Sequence, residues 1–261
     1  MSKTDSKKSR ILVLVPARGG SKGIPGKNIK KLGNATLLEW AITIGRAVPD
    51  TMGVYVSTDY ESIANEGRRC GAKIMYRPES ISQDQSTVVD MVNYHLAEFA
   101  EKGEEPDIVV YLEPTSPFRT VAEILKCIEI LETQKLDAVA TFAELNFHPT
   151  WLLTKDDVGG TQYLVPDSEP WSIIQKDDAV FALTGGVYVF NVESYKTQRP
   201  GGIFFGKTGF IVQTGPAIDI DTRFELETAR GMLTYFNEPS LVALGLVATT
   251  LPKNDQSLEH A

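Results

Sequence analysis

Short apolar runs alternate with helical patterns, glycine and proline punctuate the junctions, and a glycine- and cation-rich loop follows the first run. Together these predict an α/β fold: a Rossmann-like, mostly parallel sheet with helices on both faces. At 261 residues the chain can bury a substantial core. One domain is expected over residues 10–237, after a disordered lead at 1–9 and before a C-terminal extension and tail at 238–261.

The elements follow from periodicity. Ile11–Val15 is unbroken apolar, as a strand covered on both faces must be. Leu37–Ala47 reads as a helix, Gly53–Ser57 as a strand, Tyr60–Cys70 as a helix and Lys73–Tyr76 as a short strand. Ser86–Ala100 carries Val88, Met91, Val92, Tyr94 and Leu96 at helical spacing. Ile108–Leu112 is a buried strand, Val121–Glu132 a helix and Ala138–Phe142 a strand. From Ala143 to Phe181 the period is lost, although Trp151, Trp171, Tyr163 and His148 lie there. That irregular excursion is expected to be a substrate lid or a dimerisation arm. Strands return at Gly185–Asn191 and Gly209–Val212; Ile218–Asp221 is expected to end another, and Arg223–Phe236 to form the last helix.

Composition excludes several classes. A net charge of -8 argues against a general nucleic-acid binder or a basic membrane-surface protein. No apolar stretch approaches membrane-spanning length, so neither nucleic acid nor membrane is expected as a partner. The opening MSKTDSKKSR lacks the apolar centre of a signal peptide. Cys70 and Cys127 have no C-x-x-C spacing and read as two buried free thiols in a reducing cytoplasm.

The loop Pro16–Asn28, PARGGSKGIPGKN, is the strongest functional signal. Its glycines let backbone N–H groups approach an anion, and Arg18, Lys22, Lys27 and nearby Lys30 neutralise it. A triphosphate suits it, at the strand end where α/β proteins bind ligands. It is no Walker loop, because Asn28 follows Lys27, and the spacing from Gly20 to Gly23 breaks G-x-G-x-x-G. Asp219 and Asp221, two apart on an extended chain, point the same way and suit Mg²⁺; Asp221 or Thr222 would alternatively cap the following helix. Ser57-Thr58-Asp59 closes the second strand at the ligand edge, or caps the helix after it. Arg77 follows another strand, placed for a base edge, a phosphate or a surface salt bridge. In Leu112–Arg119, LEPTSPFR, two prolines set a rigid turn under Glu113. His148 is a lone histidine, and no Ser/His/Asp triad or His/Cys metal spacing is visible.

These motifs, with RPES at Arg77–Ser80, Asp84 and GGVYVFN at Gly185–Asn191, stand in the order of the acylneuraminate cytidylyltransferases, the CMP-sialate synthetase family. The chain resembles that family from about Ile11 to Met232. The resemblance implies a nucleotidyltransferase domain, a homodimer, and Mg²⁺-dependent transfer of CMP from CTP to an acidic sugar with pyrophosphate leaving. Matched residue by residue, Arg18, Ser21, Lys22, Lys27 and Asn28 would hold the CTP phosphates, with Ala17 and Gly19 in the same loop. Arg77 would approach the cytosine; Ser86, Glu113 and Thr115 would complete the nucleotide site, and His148 would lie by the sugar. Asp219 and Asp221 would carry the metal, and Arg18, Lys22 and Asp221 the catalysis; Asp221 or a metal-bound hydroxide would take the acceptor proton.

Two departures stand out. Glu113 replaces a family glutamine, exchanging a donor-acceptor amide for an acceptor-only carboxylate. Ile174 and Ala182 occupy positions of family arginines that meet the acidic sugar, and Lys176 is the only nearby cation. The nucleotide half is intact and the sugar half is not, so an acceptor other than sialic acid is expected. Two other readings stay open: a nucleotide-sugar glycosyltransferase using Asp219 and Asp221 as its DxD, and a non-catalytic nucleotide-binding paralogue.

Overall fold

The structure is a computed structural model that describes residues 8–21, 23–83, 85–155, 159–165, 179–233, 235 and 238–247. β1 (Ile11–Pro16) leads through a small ribbon, β2 (Lys31–Leu32) and β3 (Ala35–Thr36), into α1 (Leu37–Arg46). β4 (Thr51–Thr58), α2 (Glu61–Arg69), β5 (Lys73–Tyr76), α3 (Val88–Glu101), β6 (Ile108–Tyr111), α4 (Val121–Thr133) and β7 (Ala138–Glu144) follow. A second ribbon, β8 (Leu153–Lys155) and β9 (Thr161–Tyr163), precedes β10 (Phe181–Asn191) and α5 (Val192–Gln198). β11 (Thr208–Val212), α6 (Arg223–Met232) and α7 (Pro239–Ala243) close the described chain.

The main sheet runs β11-β7-β10-β6-β1-β4-β5. β10 is antiparallel to both of its neighbours, and every other pairing is parallel. β1 sits between β4 and β6, where the strand order reverses, and that switch point is where open α/β sheets take ligands. Alternate β1 residues enter two cores: Ile11, Val13 and Val15 pack with α1, α2, α4 and α6, while Leu12 and Leu14 pack with α3 and α5. The predicted layering therefore holds.

Caps set where the helices begin. Thr36, Thr87, Thr120 and Thr222 each accept a backbone N–H at the N-cap of α1, α3, α4 and α6. In the last three an acidic residue reciprocates, completing a capping box. The ribbons, α5 and α7 are elements that periodicity did not reveal, being too short to repeat. Asn191 both ends β10 and caps α5 by accepting from Ser194 N at 2.9 Å.

Some expectations need correction. Ile218–Asp221 is extended but forms no strand: among the described residues its one backbone bond to a neighbouring segment is Ile220 N to Thr115 O at 2.9 Å, in the turn after β6. The alternation survives without a ladder: Ile220 is buried while Asp219 and Asp221 are exposed. The last helix stops at Met232, and Phe236 lies outside the described residues. Cys127 is a buried free thiol as expected, but Cys70 is only half-buried at the end of α2. Within the excursion, β8 pairs with β9, while Trp171, Ile174 and Lys176 lie outside the described residues.

One polar contact joins the sheet to α3. Ser57 Oγ lies 2.7 Å from His95 Nε2, and His95 Nδ1 lies 2.9 Å from Glu98 Oε2. The spacing is that of a nucleophilic triad, which the sequence had not suggested. Ser57 and His95 have no exposed surface, however, so no substrate reaches the hydroxyl and the contact pins α3 to the end of β4. Burial holds the imidazole below the usual histidine range, against the raising effect of Glu98, with Arg77 and Lys102 lowering it further. The unfolded chain therefore takes up the proton first, and stability falls as pH drops below about 6.5. Wild-type protein is expected to lose stability relative to His95→Gln between pH 7.5 and 5.5, by at most about 1.4 kcal/mol per pH unit. Parallel urea-unfolding curves for the two proteins at both pH values would contradict this.

Candidate active site

A cleft of about 650 Å³ opens over the carboxyl ends of β1, β5 and β6. It is lined by Arg18, Ser21, Lys27, Asn28, Arg77, Ser86, Glu113, Thr115, Asp219 and Asp221, most of the residues singled out from sequence. Ala17 and Gly19, expected at the nucleotide site, do not line it. Ala17 is buried and donates to Ser57 O at 2.9 Å, and Gly19 N donates to Asp59 Oδ1 at 2.9 Å. Asp59 thus anchors the loop rather than capping α2, whose N-cap is Tyr60. Lys22 and Asp84 lie outside the described residues. His148 caps a short turn at Pro149–Trp151 and does not line the cleft.

The two walls carry opposite charge. Arg18, Lys27 and Arg77 supply the cationic side. Asn28 is buried and donates to Arg18 O at 3.1 Å, which fixes the loop's course. Arg18 Nη1 reaches Gln83 O at 3.3 Å, tying the loop to the segment after β5. Arg77 N donates to Thr58 O at 3.0 Å, whereas its Nε has no hydrogen-bond partner among the described residues. Burial pulls the Arg77 guanidinium below its ordinary range, with Asp59 opposing that shift. Arg77 lines the cleft, and its buried Nε is a donor that the described protein residues leave unsatisfied.

Glu113, Asp219 and Asp221 form the acidic side. Lys27 Nζ bridges the walls to Asp221 Oδ1 at 2.5 Å, with Lys27 largely sheltered and Asp221 exposed. The approach is tight: a Cβ on Gly23 would stand 2.2 Å from Asp221 O, so only glycine fits there. Thr222, not Asp221, caps α6, which leaves both aspartates to the cleft. Their carboxylate oxygens are the donor type that a divalent cation such as Mg²⁺ takes, and Asp221 here holds the Lys27 ammonium.

Glu113 rests over a bulge in β10, where the register with β7 shifts between Leu183 and Tyr188. Gly185 there has φ 70°, and a Cβ on it would meet Ser116 Oγ at 2.8 Å and Glu113 Oε2 at 3.0 Å. Burial, then Asp219, then Asp221 push the Glu113 carboxyl up to about 7, with Arg119 and Lys27 opposing. Sequence reasoning missed Gln83, Thr87, Met91 and Tyr111, which also line the cleft. Tyr111 carried a signal, being the single polar-tipped residue at the ligand end of the Ile108–Leu112 run.

A family model described as Cytidylyltransferase matches residues 12–160. The chain belongs to the cytidylyltransferase family. It is 39% identical over 137 residues to an N-acylneuraminate cytidylyltransferase A of Danio rerio, covering 51% of this chain and 30% of that protein. It is 27% identical over 228 residues to an N-acylneuraminate cytidylyltransferase of Streptococcus agalactiae, of which it spans 53%. With a CMP-N,N'-diacetyllegionaminic acid synthase of Legionella pneumophila it shares 28% identity across 89% of this chain and 100% of that one. This member of the family thus spans about half or less of the N-acylneuraminate enzymes, but the whole of the legionaminic acid relative. In fold it is similar to a CMP:2-keto-3-deoxy-manno-octonic acid synthetase solved with CTP, with TM-score 0.63, 16% identity, 87% of this chain and 99% of that one covered. A 4-diphosphocytidyl-2C-methyl-D-erythritol synthase from Anaerococcus prevotii aligns with TM-score 0.60 at 15% identity, over 86% of this chain and 98% of that one.

The cytidylyltransferase cleft makes a testable electrostatic statement. Glu113 titrates near 7 when folded and near 4.5 as a free carboxyl, so the folded state holds an extra proton between those values. Its contribution is therefore present at low pH and lost as pH rises through about 7. In EDTA, Glu113→Gln is expected to melt above wild type at pH 8, where it relieves a buried like charge, and to converge with it at pH 5. An equal difference at both pH values would exclude the Glu113 carboxyl as its source.

Proposed function

We propose that this chain is a Mg²⁺-dependent cytidylyltransferase that transfers CMP from CTP to an acidic, nonulosonate-like sugar or related anionic acceptor, releasing pyrophosphate. The observation that carries this reading is the two-signed cleft at the switch point, with Arg18 and Lys27 facing Asp219 and Asp221 across it. A glycosyltransferase would need the aspartate wall but not the triphosphate-suited loop. Ala182, where the resemblance expects an arginine, supports an acceptor other than sialic acid.

In this reading the acceptor oxygen attacks the α-phosphorus, and the α–β bridging P–O bond breaks with its electron pair leaving on pyrophosphate. Arg18 and Lys27, with Lys22 from the same loop, hold the triphosphate and offset the charge that accumulates on the leaving group. Asp219 and Asp221 would hold Mg²⁺, which supplies Lewis-acid polarisation of the phosphoryl oxygens when bound. Asp221 is exposed, and once Lys27 turns from it to the triphosphate its carboxylate would take the acceptor proton. Arg77, which lines the cleft, would meet the pyrimidine or a phosphate oxygen. Positioning and charge complementarity account for most of the expected acceleration.

We further propose a cytoplasmic homodimer. Support comes from the two free cysteines and from exposed apolar side chains about the excursion: Phe147, Trp151, Leu153, Tyr163, Leu183 and Phe210. Sedimentation should give a dimer, and Trp151→Glu with Leu153→Glu should shift it to monomer; an unshifted mass would place the interface elsewhere.

Pyrophosphate release, measured with Mg²⁺ and each of the four nucleoside triphosphates against a panel of nonulosonic and other anionic acceptors, tests the reaction. Release with CTP alone and one acceptor class is expected. Asp221→Ala should stay folded and lose roughly two or more orders of magnitude in kcat, since even the outer partners of metal ligands are worth up to about 100-fold. CTP binding without release from any acceptor would favour the non-catalytic paralogue, and undiminished release from Asp221→Ala would remove the metal assignment.

A further inference from the structure

Arg119 has no exposed surface, an unusual place for a guanidinium without a salt bridge, and none reaches it among the described residues. Its Nε donates to Ser116 O at 2.9 Å, and its Nη2 is shared between Glu113 O and Ser116 O. Nη1 has no partner among the described residues. Glu113, Glu123 and Asp219 act on this cation only through space, and burial lowers it to about 10. Burying such a charge without a direct ionic partner is costly. A neutral amide could bond one carbonyl without that cost. The retained charge and fork therefore call for a role in the acidic wall that lies in front of them.

The bonds around Arg119 say what it holds. Glu113 and Ser116 are the two ends of the Pro-bounded turn, closed by Ser116 N to Glu113 O at 3.3 Å. Between them Thr115 O accepts Ile220 N at 2.9 Å, and Ile220 is the residue flanked by Asp219 and Asp221. The same segment is tied down upstream. Gln213 Nε2 donates to Phe118 O at 3.3 Å and to Pro216 O at 3.0 Å, and Glu123 Oε1 accepts Thr214 N at 2.7 Å. Residues 213–220 are thereby bolted to residues 113–123, with Arg119 inside the joint and the aspartates projecting from it.

We propose that Arg119 is a positioning residue for the divalent-cation site. Its fork sets the Glu113–Ser116 turn, and the Thr115–Ile220 bond carries that setting to Asp219 and Asp221 before any cation arrives. Its charge behind the wall offsets the mutual repulsion of the carboxylates gathered there. The inference rests on reading Asp219 and Asp221 as metal ligands.

Arg119→Lys separates fork from charge, because an ammonium keeps the cation but cannot bridge two carbonyls in a plane. The probes are Mn²⁺ titrated by electron paramagnetic resonance with CTP present, CTP titrated calorimetrically in EDTA, and amide exchange at Ile220. In Arg119→Lys the Mn²⁺ dissociation constant should rise about tenfold, as when a support of a metal ligand is lost. Metal-free CTP affinity should not change, and the Ile220 amide, protected in metal-free wild type, should exchange freely. A merely structural arginine would lower the melting temperature and leave Mn²⁺ affinity and Ile220 protection at wild-type levels, which would overturn the proposal. If wild-type protein with CTP binds no Mn²⁺, the metal reading itself fails, and the role of Arg119 with it. Should Arg119→Lys not fold, metal-free wild type decides: a protected Ile220 amide supports the preset segment, and a freely exchanging one overturns it.

Discussion

The loop after β1 and the segment before α6 lie far apart in sequence, yet Lys27 Nζ and Asp221 Oδ1 meet at 2.5 Å across them. The contact needs a backbone that can come very close, and Gly23 against Asp221 O supplies it. From it follows a cleft with cations on one wall and carboxylates on the other. Such a site can take a polyanion and a divalent cation together, because each neutralises the field set up by the other. The same ion pair gives the cleft an internal counter-charge, so neither wall faces solvent with its full field.

The sheet explains why those walls are rigid. β1 is buried on both faces and holds the switch point between β4 and β6, so its carboxyl end cannot drift. Three further anchors fix what hangs from it: Ala17 N to Ser57 O, Gly19 N to Asp59, and Asn28 to Arg18 O. The acidic wall is held from beneath, by hydrogen bonds that Arg119 and Gln213 donate and Glu123 accepts. Buried polar groups of this kind cost stability unless bonded, and here the bonds end on carbonyls and amides of the two segments that carry the acidic wall.

Glu113 concentrates the tension in the site. It stands where the family resemblance expects an amide, over a β10 bulge shaped by Gly185 and beside two other carboxylates. Its carboxyl is pushed up to about 7 by burial first and by those neighbours second. A group that accepts but cannot donate when ionised alters what the far end of the cleft can recognise. Ala182 stands where the same resemblance expects an arginine, and in the proposed reading it favours an acceptor held differently from a sialic acid.

Reading the sequence alone determined the alternation of strands and helices, the buried first strand, the phosphate-suited loop and the aspartate pair. Each of these is a local pattern whose chemistry is carried by adjacent residues. It also determined the family, through motifs standing in order. The short ribbons, α5 and α7 escaped it, since elements of a few residues show no period. The strand expected at Ile218–Asp221 failed for a related reason: alternation specifies which side chains share a face, but a ladder needs a neighbour that only the fold can supply. Only the tertiary structure decided that Asp59 anchors a loop, that Thr222 frees Asp221 by taking the cap, and that Tyr111 and Gln83 join the cleft. It alone decided the setting of Arg119, because burial and charge arise from segments about a hundred residues apart that packing brings together.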